Sequence, residues 1–130
     1  MSSEENDLER EDQRYRDVVD ALVAACREGQ GQIGARRARA GVWNANASPT
    51  SLPDQHTRNL LLGALTPTQR ETLAQMLTEQ FVAGVHQALA TLHAQEVAPF
   101  DAAYEGSPHH DFVGRLDGWP WPTEGERTAE

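Results

Sequence analysis

The chain has 130 residues, with 20 acids against 11 basic residues, every one of them arginine, and a formal net charge of −9. That length suffices for one core that buries about two-thirds of the unfolded surface without disulfides or a structural metal, while the charge disfavours DNA, RNA and anionic membranes as nonspecific partners. The single Cys26 excludes an internal disulfide and a zinc site built on a cysteine pair.

The acids gather at the ends. Residues 1–20 hold eight acids and three arginines, residues 96–130 eight acids and two arginines, and the middle is slightly basic. An all-arginine, alanine-rich composition suggests a GC-rich bacterial source. The N-terminus has no apolar leader and no apolar run reaches the roughly 20 residues of a membrane span, so a soluble cytoplasmic protein is expected.

Residues 1–6 and 123–130 are short and polar and are expected as disordered tails around one helical domain over 7–122. From about Asp7 to Glu28, Tyr15, Val18, Val19, Leu22, Val23 and Cys26 recur at helical spacing. Gly29 is a natural stop. Residues 29–53 hold four glycines and two prolines and little periodicity, which predicts a long loop, pinned to the core by Trp43 and Leu52. Asp54 is suited to cap a short helix through Leu60, Leu61 and Leu62.

Thr66-Pro67-Thr68-Gln69 then presents an N-cap threonine, a proline at the first helical position and a glutamine two positions on, the clearest helix start in the chain. Leu73, Met76, Leu77, Phe81, Val85, Ala88, Leu89 and Leu92 continue it to about Glu96, before Pro99. Ser107 and Pro108 open a last short helix carrying Phe112, Val113 and Leu116, with Asp111 and Arg115 spaced for an i,i+4 ion pair. In Trp119-Pro120-Trp121-Pro122 each tryptophan precedes a proline, so this segment must be extended and reads as an aromatic clasp. No strand alternation is present. The expectation is an all-α domain in which the first and the long helix pack together.

Few motifs point to chemistry. Gly29-x-Gly31-x-x-Gly34 matches a dinucleotide fingerprint literally, but a helix rather than a strand precedes it. Arg36, Arg37 and Arg39 beside it are candidates for an anion or an acidic partner. Glu79, His86 and His93 recur every seven residues along one helix stripe, and His109, His110 and Asp111 are able to fold back towards them; these are the candidate metal ligands. Against them, helical ligand pairs usually sit three or four apart, and seven residues span roughly 10 Å. Cys26 continues the apolar stripe and reads as a buried structural thiol. Trp43, Trp119 and Trp121 are the candidate partner-binding aromatics. No catalytic residue and no cofactor are assigned.

His110-Asp111-Phe112-Val113-x-Arg115-x-Asp117-Gly118, closed by Trp121-Pro122, together with Leu65-Thr66-Pro67-Thr68-Gln69-Arg70-Glu71-Thr72-Leu73-Ala74 and Gly84-Val85-His86, resembles a family of small bacterial proteins that form a domain of unknown function. The resemblance covers most of residues 8–122 and implies one natural unit, with no activity to carry over. The expectation is therefore a noncatalytic interaction module for a basic protein partner, such as an adaptor, regulator or neutraliser. The alternative is a small metal- or ligand-binding enzyme on His86, His93, His109 and His110. A homodimer through the first or the long helix is a further expectation.

Overall fold

The computed structural model describes residues 3–122. Among them are five helices and no strand: α1 (Ser3–Arg27), α2 (Gln30–Ala40), α3 (Pro53–Ala64), α4 (Pro67–Ala94) and α5 (Pro108–Leu116). The all-α expectation therefore holds. The tail expected at 123–130, and residues 1 and 2 of the other, lie outside the described residues. Residues 3–6 are not tail but the first turns of α1.

The main correction is α2. The segment 29–53 contains an 11-residue helix with Gly31 and Gly34 inside it, and the irregular part is reduced to Gly29 and Gly41–Leu52. Gly41 ends α2 in the left-handed region at φ 76, where its N–H reaches Arg37 and Ala38 carbonyls, a termination that suits glycine. Leu52, expected as an anchor, is about half exposed. It takes the N-cap place assigned to Asp54, which instead sits in the first turn of α3 behind Pro53. The α4 start is as expected: Thr66 N donates to Gln69 Oε1 at 2.9 Å and Gln69 N to Thr66 Oγ1 at 3.1 Å, the reciprocal capping box.

The chain divides into two compact units, one from Met1–Ala24 with Gly84–Glu130, the other Ala25–Ala83. In the second unit Ala35, Ala38, Leu62 and Ala74 are buried together, with Trp43, Leu65, Leu73 and Leu77 packed on them. Small residues on α2 and α4 let these helices approach closely. Met76, assigned to the apolar stripe of α4, is instead mostly exposed. Cys26 is buried as expected, and burial raises its thiol pKa, so it stays protonated and inert.

In the first unit the fully buried side chains include Val19, Leu89, Pro108, Asp111 and Phe112, with Tyr15 and Val23 beside them in burial. α5 and the segment that follows it, through Pro122, clasp α1 through polar contacts. Arg115 Nε donates to Asp20 Oδ1 at 2.8 Å, and Trp121 Nε1 donates to Asp20 Oδ2 at 2.9 Å. Arg16 Nη2 reaches the Pro122 carbonyl at 3.1 Å. The i,i+4 pair expected between Asp111 and Arg115 is thus not made, because each has a better partner on α1.

Candidate functional site

Among the described residues three features concentrate the chemistry: a histidine group in the first unit, arginines stacked on tryptophans within each unit, and a groove in the first unit. The histidines come first. α4 carries His86 and His93, and the start of α5 carries His109 and His110; His109 lies centrally, with ring centroids 4.9 Å from His86, 6.2 Å from His93 and 4.7 Å from His110. Seven-residue spacing kept His86 and His93 apart in sequence terms, and the fold places a third ring within reach of both.

Ser107 organises one side of this group. Its Oγ lies 3.1 Å from His109 Nε2 and hydrogen-bonds His110 Nδ1. A hydroxyl has one proton, so at least one of these imidazoles must donate to it. His93 Nδ1 donates to the Phe100 carbonyl at 3.0 Å. His109 Nδ1 is buried and has no hydrogen-bond partner among the described residues.

Burial, and then the neighbouring His110, His86 and His93, hold the His109 pKa below its ordinary value. In the unfolded chain this imidazole takes up its proton near pH 6.5, in the folded chain only lower. The His109 contribution to stability is therefore complete above about pH 6.5 and is lost as pH falls through the window between the unfolded and the folded pKa. Thermal unfolding between about pH 7.5 and 5.5 is expected to show a declining midpoint whose slope flattens in His109→Gln. An unchanged slope in that variant would assign the effect elsewhere.

Of the other metal candidates, Asp111 does not join this group. Glu79 belongs to the second unit. Asp111 is wholly buried and already occupied: it accepts from Tyr15 Oη, from Tyr104 N at 2.9 Å and from Glu105 N at 2.8 Å. Among the described residues, no three histidine, cysteine or acidic side chains are arranged to hold a metal ion.

The tryptophans and arginines are engaged within their own units. Trp121 is half-buried under the Arg16 and Arg115 guanidinium groups, 5.7 and 5.1 Å from its ring, and Trp119 packs on Gly114. In the second unit Trp43 lies beneath Arg37 and Arg58, 5.1 and 5.6 Å away. Arg36 Nη2 donates to the Glu28 carbonyl, and Arg39 makes a bidentate pair with Glu71 at 2.8 and 3.1 Å. These arginines sit on α2, not on a loop, and each has a different partner. The geometry does not bring them to one anion.

The third feature is a groove of about 760 Å³ in the first unit. Val18 and Leu22 of α1, Val85, Ala88 and Leu92 of α4, and Phe100 supply apolar lining, with Glu11 and Arg14 at its α1 side. Val18, Leu22, Val85 and Leu92 belong to the apolar stripes that sequence periodicity assigns to the core. They are only partly buried. Periodicity reports an apolar face and carries no information on whether anything covers it.

Comparison with known proteins adds one finding. A family described as "Family of unknown function (DUF6547)" matches residues 8–123. No curated protein and no solved structure matches the chain.

Proposed function

Because the chain belongs to DUF6547, a family of unknown function, we propose from its own residues that it is a noncatalytic interaction module for a basic protein partner. The observation that carries this reading is the distribution of charge. The first unit holds sixteen of the twenty acids and five of the eleven arginines. On α1, Glu4, Glu5, Asp7, Glu9, Glu11 and Asp17 are all exposed along one helix. Such a field raises the encounter rate with a cation-rich surface and repels an acidic one.

Proximity labelling in the native cell tests this reading. A specific basic protein is expected to be enriched, with binding weakened by salt and by the double substitution Glu9→Lys with Glu11→Lys. An empty result, or a partner indifferent to both treatments, would remove the reading.

The meeting of the His86, His93, His109 and His110 rings supports a second reading, a ligand-binding role, in which a metal ion would first require these side chains to rearrange. Titration of the purified chain with zinc, followed by native mass spectrometry, separates the two. A stoichiometric ion that His86→Ala and His93→Ala both abolish would establish the second reading in place of the first.

A further inference from the structure

We propose that the groove between α1 and the second half of α4 is the docking site of the partner, and that its occupant is a basic amphipathic helix. The inference rests on the interaction reading above and adds to it a place and a shape.

The shape comes from the lining. Glu11, Arg14, Val18 and Leu22 follow one another at steps of three and four, so they form one stripe along α1. That stripe is about 17 Å long at about 1.5 Å per residue, the length of roughly three helical turns. Val85, Ala88 and Leu92 form the facing stripe on α4, and the fully buried Leu89 closes the floor. Apolar residues on both sides, Val18 and Leu22 on α1 and Val85, Ala88 and Leu92 on α4, fit the i, i+3 or i+4, i+7 anchors of a helix laid between them. A small molecule would need polar groups converging from several sides to fix its orientation. Here the charged lining is confined to one helix, at Glu11 and Arg14.

The charge selects the partner. Continued towards the N-terminus, the α1 stripe runs through Glu11, Asp7 and Glu4, all exposed. A helix seated on Val18 and Leu22 therefore extends over carboxylates. A second copy would bring another α1 with Glu4, Asp7 and Glu11 exposed to this face, and like charges close together oppose such pairing. A helix with apolar anchors and flanking lysine or arginine satisfies both parts of the groove.

The test uses the full chain against a displayed library of amphipathic helices, about three to four turns long, whose polar positions are randomised. Selected helices are expected to be enriched in lysine and arginine. A nitroxide on a selected peptide should broaden the amide signals of Val18, Leu22 and Leu92. Ala88→Arg, at an exposed position in the groove, should weaken binding by at least about tenfold, or about 1.4 kcal/mol, with unchanged helical circular dichroism. Selection of neutral or acidic helices, failure to select any helix, broadening elsewhere, or full affinity in Ala88→Arg would each overturn the proposal. A dimer in light scattering that Ala88→Arg dissociates would overturn it in favour of a second copy. If the native partner responds to the Glu9 and Glu11 reversals but not to Ala88→Arg, the groove falls and the interaction reading stands.

Discussion

Asp111→Ala is expected to lower the stability of the chain by about 3 kcal/mol, the larger of two effects that a single side chain in the first unit should show. The carboxylate is wholly buried, and each of its oxygens has work: Oδ1 accepts from Glu105 N, Oδ2 from Tyr104 N and from the Tyr15 hydroxyl. Truncation leaves three donors unpaired at about 1–3 kcal/mol each. Water entering the vacated space, and relief from burying a charge, offset part of that sum. The net remains a large loss because two of the donors are backbone groups that cannot turn away.

Tyr15 is a second reporter of the same site. Burial, then its hydrogen bond to Asp111, then the charges of Asp111, Tyr104 and Asp12, raise its phenol far above the ordinary range. Tyr15→Phe removes one donor and leaves both backbone bonds of Asp111 intact, so it is expected to cost only about 1 kcal/mol. Urea unfolding of the two variants checks the ranking. Equal losses would show that the phenol, not the pair of backbone amides, is what the carboxylate serves. Asp111→Asn separates charge from shape, since its amide has one acceptor oxygen and must present N–H groups to a donor.

The same network shows how far the sequence could be read. Local signals were legible because they depend on neighbours in the chain. Thr66, Pro67 and Gln69 make the cap that their spacing announces, and Ser107 accepts from His110 N at the start of α5. Asp111 and Arg115 were misread because local spacing offers them each other, while Tyr15 and Asp20 compete from 96 and 95 residues away. No window of sequence contains that competition. The histidine group lies between these cases: the α4 stripe was visible as a seven-residue repeat, but His109 joins it only through the placement of α5.

The groove was legible as residues and not as a surface. Val18, Leu22, Val85 and Leu92 have the spacing of core positions, and a core position and a docking position differ only in what lies opposite. α2 was missed for a related reason. Gly29, Gly31 and Gly34 lower helix propensity by about 1 kcal/mol apiece relative to alanine, so Gln30–Ala40 reads as loop until its contacts are known.

Those contacts make Gly31→Val the second large effect, expected to cost about 3 kcal/mol or more. A Cβ at position 31 would lie 2.7 Å from Phe81 Cδ1, 2.9 Å from the Ala25 carbonyl oxygen and 2.9 Å from Cys26 Cα. Phe81 can swing aside, but Ala25 and Cys26 offer backbone, which cannot yield without moving the end of α1 away from α2. That movement strains the bond from Gln32 Nε2 to the Cys26 carbonyl, 2.9 Å long, and the one to Thr78 Oγ1 at 3.2 Å. Propensity pushes the other way, since alanine in a helix gains about 0.5–1 kcal/mol over glycine. Gly31→Ala is therefore the deciding comparison: a net loss means that close approach outweighs propensity. Gly34→Ala is the control, because its nearest neighbours, Leu77 Cδ1 and Trp43 Cη2, lie at 3.6 Å, ordinary contact. Chemical denaturation of the three variants should place Gly34→Ala at or above the parent and both Gly31 variants below it, valine lowest. A Gly31→Ala as stable as Gly34→Ala would mean that α2 tolerates displacement from α1, and that its glycines reflect only the freedom of a helix end.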